Sequence, residues 1–371
     1  MNAMNHKNEV RLGIVGAGGI GGMHARNVLA GKVKRCRLAA ICDISEKMLA
    51  QFDGSVRKFT DIQDMLASGT IDAVLIATRH YNHVPSGLAA LTAGRHVLIE
   101  KPMAVQKSQC QKIIAAHKGR KTVFAMMFNQ RTDPVYRKVR ELLVGGKMGE
   151  MTRVNWIITD WFRTNAYYRS SAWRATWAGE GGGVLVNQCP HQLDLLQWIC
   201  GMPLTVRAFA GIGKRHKIEV EDEVTAYLEY PNGATGVFIT TTGEAPGTNR
   251  LEIACDKGKI VVENKTIKIW MNDVSVEKAI KTLPGCETPP FKYSEIKHDG
   301  TGGQHLEILQ NFTDAILDGV PLIAPAEEGI KSVELANAML YSALKGVTVR
   351  LPMAAKTFDG LLQGLISKSR A

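Results

Sequence analysis

The chain has 371 residues, 45% of them hydrophobic and 22% charged, a mix that buries a core and excludes a disordered, collagen-like or mucin-like chain. Its formal charge of +11 comes from basic residues scattered among acidic ones. With no nucleic-acid signature beside it, that excess argues for solubility and for attraction of an anionic cofactor, not for DNA or RNA.

No apolar run approaches the roughly 20 residues that cross a bilayer. The polar start, Met1–Arg11, lacks the apolar core of a secretory signal, so no membrane partner is expected and the expected address is the cytoplasm. The seven Cys, at 36, 42, 110, 189, 200, 255 and 286, contain no C-x-x-C pair. They read as reduced thiols, not as a disulfide framework or a zinc site. At about 100–200 residues per domain the length predicts two domains, or three.

In chain order, Val10–Val15, Leu38–Cys42, Ala73–Thr78, His96–Ile99 and Thr122–Phe128 are short apolar runs bounded by turns, the pattern of strands buried on both faces. Helical patterns lie between them, as at Asp61–Ala67 and at His83–Ala93, the latter closed by Gly94. This alternation predicts a parallel sheet with helices on both faces. The pattern changes after Asn129. A helix is expected at Pro134–Val144, then strands at Val224–Tyr230 and Ala234–Thr242 around the hairpin signal Pro231-Asn232-Gly233. Arg250–Cys255, Lys259–Glu263 and Thr266–Met271 continue a largely antiparallel sheet. Asp273–Asp299 reads as an irregular excursion, and helices return at His305–Leu317 and Ala326–Leu344.

Four constellations could carry chemistry. Gly16-Ala17-Gly18-Gly19-Ile20-Gly21 fits G-x-G-x-x-G directly after a strand, and Asp43 ends the next strand 22 residues beyond Gly21. The first glycine permits the tight turn, the second lets a pyrophosphate approach the backbone, and the third allows close helix packing. The acid suits ribose hydroxyls and repels a 2′-phosphate, which selects NAD over NADP. Glu100-Lys101-Pro102 lies at a strand end, where ligands of parallel sheets sit. Gly181–Gly183 leads through Asn187 to Pro190 and a helix on which His191 and Asp194 share a face; this is a candidate proton-transfer site, or else a capped helix with a core histidine. The stretch 156–177 holds four of the six Trp (156, 161, 173, 177) with Arg163, Tyr167, Tyr168, Arg169 and Arg174. It can stack sugar C–H surfaces and bond hydroxyls, or serve core and interface. Tyr341…Lys345 matches Y-x-x-x-K but in the wrong context, and His80 with His83 has no partner at metal-ligand spacing, so no metal is expected.

Together the glycine turn, the E-K-P at 100–102, Asn129-Gln130-Arg131, the G-G-G…H-x-x-D at 181–194 and the closing His305…Asn311-Phe312…Gly319 resemble the Gfo/Idh/MocA family in content and order. The resemblance covers nearly the whole chain. It implies an α/β protein: an N-terminal Rossmann domain with a parallel sheet at 1–129, then an α+β domain at 130–371 with an open-faced, largely antiparallel sheet through which a homo-oligomer, dimer or tetramer, forms. It implies oxidation or reduction of a sugar or cyclitol carbinol with a nicotinamide cofactor. Lys101 and His191 become the catalytic pair, and Thr78, His83, Glu100, Lys101 and Asn129 line the cofactor beside the glycine turn and Asp43. Asn187, Asp194, Trp161, Arg163, Tyr168, Trp173 and Arg174 are the expected substrate contacts. Where many family members carry Asp, this chain has Asn187, which can orient a hydroxyl but cannot take a proton. The expected activity is NAD-dependent oxidation of a sugar or glycoside, at C3 of a pyranoside. The competing readings are an inositol or free-sugar dehydrogenase, an NAD-dependent glycosidase acting by oxidation and elimination, and a non-enzymatic sensor of NAD or sugar.

Overall fold

A computed structural model describes residues 8–369; of the polar N-terminal stretch, residues 1–7 lie outside the described residues. The chain forms two units, residues 1–132 with 303–333, and residues 133–302 with 334–371. The first unit thus takes back a late segment that a single boundary at 129/130 does not include.

The first unit alternates strand and helix: β1 (Val10–Val15), α1 (Gly19–Leu29), β2 (Cys36–Cys42), α2 (Glu46–Leu49), β3 (Arg57–Phe59), α3 (Ile62–Ala67), β4 (Ala73–Ile76), α4 (His80–Thr92), β5 (His96–Ile99), α5 (Lys107–His117) and β6 (Phe124–Met126). The six strands are parallel in the order β3-β2-β1-β4-β5-β6. Every residue of β4 is buried, as its unbroken apolar sequence demands of a strand covered on both faces. Strand order reverses between β1 and β4, and a crevice for ligands opens at their carboxyl ends.

The second unit begins with α6 (Pro134–Val144), whose N-cap Asp133 accepts the Val135 N–H and whose Pro134 sits where no N–H is needed. Then follow β7 (Met151–Ile158), α7 (Asn165–Arg169), α8 (Pro190–Cys200), β8 (Thr205–Ile212), β9 (Glu221–Glu229), β10 (Thr235–Thr241), β11 (Asn249–Cys255), β12 (Gly258–Glu263), β13 (Thr266–Asn272), α9 (Val276–Thr282) and β14 (Phe291–Lys297). α10 (Gln304–Asp318) belongs to the first unit, the unit boundary falls inside α11 (Gly329–Lys345), and β15 (Val349–Arg350) and α12 (Ala355–Ile366) close the chain. The nine strands run β14-β13-β12-β11-β7-β10-β9-β8-β15, antiparallel except for β7 beside β10. Asp273–Asp299 is not irregular: it supplies α9 and the edge strand β14, paired to β13 from Asn272↔Phe291 to Thr266↔Lys297.

Side chains along β9 alternate. Val224, Ala226 and Leu228 are buried, while Thr225, Tyr227 and Glu229 are exposed. One face of the sheet is therefore packed and the other open. Trp156 in β7 belongs to the packed face: it is fully buried, with the Tyr136 ring of α6 at 5.8 Å and Phe238 at 6.3 Å. Trp177 is also buried. Those two tryptophans are core residues and leave the set of candidate sugar contacts. Among the described residues no helix is long and apolar enough to cross a membrane.

Candidate active site

The nucleotide site of the first unit is built on the turn after β1. Gly16 has φ +94°, and a Cβ there would meet the Ala77 carbonyl oxygen at 2.5 Å, so both backbone and the close end of β4 require glycine. Gly21 is tighter still, its added Cβ falling 1.8 Å from the Gly16 oxygen. Gly18 and Gly19 are different: a Cβ on either would have nothing within 4 Å. They open α1, with Gly18 at the N-cap and no acidic side chain in the first turn, and Ile20 is 38% exposed beside them. The positive end of a helix thus faces open space that side chains leave clear.

Asp43 follows β2. Its Oδ2 accepts the Ala17 N–H at 2.7 Å and its Oδ1 the Ser45 N–H at 2.9 Å. The carboxylate therefore ties β2 to the glycine turn, a task not visible in the motif, and each oxygen keeps acceptor capacity for a ribose hydroxyl. Asp43→Asn is expected to weaken NAD binding and to narrow the preference for NAD over NADP, because an acceptor and a repulsive charge disappear together. Titration of both nucleotides against the two proteins checks this; an unchanged NAD/NADP ratio would remove Asp43 from cofactor selection.

The remaining cofactor candidates divide into supports and exposed groups. His83 is buried in α4, Nδ1 lying 2.7 Å from the Pro102 oxygen and Nε2 3.0 Å from the Thr78 oxygen. It bridges the loops after β4 and β5, and burial holds its pKa below the ordinary value against the pull of those carbonyls. Glu100 is buried too. Its Oε1 lies 2.8 Å from His24 Nε2, and its Oε2 accepts the Lys101 N–H at 3.3 Å. Burial pushes that carboxyl up, but the His24 hydrogen bond and the charges of His24, His305 and Lys101 outweigh it and hold it below the usual value. Thr78 and Lys101 are half-buried at the carboxyl ends of β4 and β5. Asn129 donates to Gln304 Oε1 at 2.5 Å, and its own Oδ1 is buried with no hydrogen-bond partner, an atom that a cofactor N–H can satisfy. Sequence reasoning misses His24 and Gln304, since no local motif links them to Glu100 or Asn129.

The second unit holds the other cluster. The glycine run reaches α8 through a π-helical turn at Val184–Gln188, a turn type frequent at functional sites. A Cβ on Gly183 would fall 1.9 Å from the Glu221 carbonyl oxygen, so glycine lets the turn press against β9. The Glu221 carboxylate anchors the turn, accepting the N–H of Gly183 at 2.8 Å and of Leu185 at 3.0 Å. From 180 to 197 every residue is buried except Asn187, which is half-buried. Asn187 Nδ2 donates to Glu180 Oε1, and His191 follows one turn later, 8% exposed. Asp194, expected at the substrate, is buried and accepts from Gln197 at 3.0 Å, which places it in the packing of α8.

Burial pushes the Glu221 carboxyl up from the ordinary 4.5 to about 7, against three backbone bonds, from Gly183, Leu185 and its own N–H, that favour the charged form. A group whose pKa is raised by folding stabilises the protein below its unfolded pKa and loses that contribution as pH rises through the folded one. The contribution is about 3 kcal/mol, so Glu221→Gln is expected to flatten the decline in stability between about pH 4.5 and pH 7. Urea unfolding at both ends of that window measures it, and an unchanged slope in the variant would clear Glu221 of that role.

Tyr167 is the hub of the aromatic stretch. The guanidinium groups of Arg163 and Arg174 lie 5.1 and 4.7 Å from its ring centroid, and Arg174 Nη1 donates to its hydroxyl at 2.9 Å. Arg174 also stacks on Trp173 at 4.8 Å, and Arg163 lies 5.7 Å from the Trp161 ring. All five side chains are half-buried. Tyr168, also expected at the substrate, is instead buried beneath them: its hydroxyl lies 2.8 Å from Thr242 Oγ1 and its ring 5.0 Å from His216. Asp222, fully buried, accepts the backbone N–H groups of Lys214, Arg215 and His216 and lies 2.9 Å from His216 Nδ1. His216 Nε2 in turn lies 2.8 Å from the Arg163 oxygen. The sequence carried one signal of this scaffold, the acidic run Glu221-Asp222-Glu223 at the head of an alternating strand.

Family models match both units in order. Residues 10–128 match an oxidoreductase family with an NAD-binding Rossmann fold, and residues 136–261 match the GFO/IDH/MocA C-terminal domain. The chain belongs to the GFO/IDH/MocA family of oxidoreductases. Similar GFO/IDH/MocA proteins include inositol 2-dehydrogenase 1 of Saccharopolyspora erythraea, 32% identical over 94% of this chain and 98% of that one. Inositol 2-dehydrogenase of Rubrobacter xylanophilus is also 32% identical, over 91% and 92%. Among solved structures, the WlbA dehydrogenase of Chromobacterium violaceum in complex with NADH and UDP-GlcNAcA superposes with a TM-score of 0.80 at 26% identity, covering 94% of this chain and 97% of that one. The cofactor of this GFO/IDH/MocA oxidoreductase is NAD. The open space over Gly18 and Gly19 and the carboxylate of Asp43 are chemically suited to its phosphates and ribose.

Proposed function

We propose that this oxidoreductase oxidises a secondary hydroxyl of a sugar or glycoside, at C3 of a pyranoside to the 3-oxo form. The observation that carries the reading lies within the second unit: Gln188, next to Asn187 on the turn before His191, has its Nε2 3.5 Å from the hydroxyl of Tyr167, around which Arg163 and Arg174 stack. Aromatic faces suit sugar C–H surfaces, while guanidinium and amide groups suit hydroxyls. Bound NAD supplies a hydride acceptor for the carbinol carbon. His191 takes the hydroxyl proton, Lys101 stabilises the developing alkoxide, and Asn187 orients the sugar.

The relatives favour two substrate types: two are named as inositol dehydrogenases, and the third was solved with a nucleotide sugar bound. The half-buried cluster around Tyr167 supports the second type, because a substrate with an aglycone or second ring needs a surface that a bare cyclitol does not. Incubation with NAD and methyl β-D-glucopyranoside, with 13C NMR of the product, is expected to show a carbonyl at C3. A carbonyl at C1, or activity confined to inositols, would overturn this. Release of aglycone without net NADH would point to oxidation followed by elimination.

In this reading the first unit, residues 1–132 with 303–333, is the nucleotide domain and the second, 133–302 with 334–371, the substrate and oligomerisation domain, working in the cytoplasm. The open sheet face, where Phe209 is 63% and Tyr227 42% exposed, is the surface through which copies of the chain associate. Phe209→Lys is expected to lower the mass found by light scattering; a wild-type monomer would contradict the assignment.

A further inference from the structure

We propose that Glu180 is a positioning residue that sets the orientation of Asn187, and so decides which substrate hydroxyl this site accepts. The proposal deepens the reading above and rests on it for the identity of the substrate, though not for the coupling of the two residues.

Glu180 directly precedes the glycine run at 181–183. It is 1% exposed. Its two oxygens have separate tasks: Oε2 accepts the Ala175 N–H at 2.7 Å, and Oε1 accepts from Asn187 Nδ2. Ala175 has φ +51°, an uncommon conformation for a residue with a Cβ, and the Glu180 bond helps hold that turn directly after Arg174. The carboxylate thus joins the turn that follows Arg174 to the turn that carries Asn187.

The consequence is chemical. An amide has a donating end and an accepting end, and a carboxylate only accepts. With Nδ2 donating to Glu180 Oε1, the orientation of the amide is fixed and its accepting oxygen is the end turned from the carboxylate. Asn187 is the one residue between 180 and 197 that is not buried, and it is oriented by a carboxylate beneath it. Donation to a charged acceptor also polarises the amide and strengthens its oxygen as an acceptor. We assign that oxygen to a substrate hydroxyl next to the carbon that is oxidised.

Aspartate at 187 would not improve the site. Two carboxylates would meet in a buried place where Glu221 already repels Glu180. One of the pair would have to hold a proton, and its pKa would rise. The match between 180 and 187 is therefore acid with amide, and either residue can be the acid.

That symmetry provides the test. Asn187→Asp, Glu180→Gln and the exchange variant carrying both are compared with wild type. The first measurement needs no substrate: NMR titration of protein with 13C-labelled aspartate and glutamate side chains. In Asn187→Asp one carboxyl of the 180/187 pair is expected to titrate well above the ordinary carboxylate range, and adding Glu180→Gln is expected to return the remaining one to it. The second uses NAD with methyl β-D-glucopyranoside and with myo-inositol. Each single variant should lose about ten- to a hundredfold in kcat/KM, the scale of a misplaced substrate group, and the exchange variant should recover at least tenfold over Asn187→Asp. Thermal melts of all four proteins, with kinetics measured well below the lowest midpoint, separate a folding defect from a misplaced amide. Ordinary titration of both carboxyls of the pair in the single variant, or strictly additive losses in the exchange variant, overturns the proposal. A wild type inactive on both probes overturns the proposed substrate class instead, and the titration still decides the pair.

Discussion

His191→Ala is expected to lower turnover by about 10²–10⁴-fold, the usual worth of a positioned general base, while NAD binds as in wild type. The separation follows from the roles proposed: His191, on the first turn of α8, acts on the substrate proton, whereas the glycine turn and Asp43 are the groups proposed for the dinucleotide, so loss of the base removes proton transfer and no dinucleotide contact. Lys101→Ala should cost a similar factor through the developing alkoxide, with a larger share falling on kcat than on KM because that charge exists only in the transition state. Calorimetric NAD binding beside steady-state kinetics checks both. His191→Asn serves as the second variant, since His191 is 8% exposed and alanine there leaves a cavity. Turnover near wild type in any of these would take that residue out of the mechanism.

The second large effect contrasts two glycines of one motif. Gly18→Ala should leave the thermal stability of the free protein unchanged, because φ is −67° at Gly18 and an added Cβ meets nothing within 4 Å. It should nonetheless weaken NAD binding at least about tenfold, since a 1 Å displacement of a bound group is already costly and the methyl occupies the space left for the pyrophosphate. Gly21→Ala should do the reverse in order of cause. Its Cβ would fall 1.8 Å from the Gly16 oxygen, the turn must move, and stability should drop by about 1–3 kcal/mol, as for other overpacked sites, with cofactor binding lost as a result. Melting curves of both variants with and without NAD distinguish them. A stable Gly18→Ala protein that binds NAD normally would refute the placement of the pyrophosphate.

What neighbouring residues enforce could be read without the fold. β1, the glycine turn and Asp43 were legible because strand, turn and helix follow one another and the required conformations are local. So was the hairpin at Pro231-Asn232-Gly233, where Asn232 Oδ1 accepts the Ala234 N–H and Gly233 has φ +82°. Lys101 could be placed from its strand end alone, and α10 from the apolar stripe closed by Gly319, φ +72°. β14 was not legible, because six of its seven side chains are exposed and an edge strand with no buried face carries no alternation. β7 was hidden for another reason: its Trp156 read as part of an aromatic surface until the packing of Tyr136 and Phe238 showed it to be core. The supports of the site depend on long-range packing. Glu100 meets His24 across 76 residues, Asn129 meets Gln304 across 175, and Leu185 meets Glu221 across 36. Even Glu180, seven residues before Asn187, could be recognised as its partner only once the turn had closed. A carboxylate's role depends on whether it is buried and on what faces it, and both are set by which distant segments the fold brings together.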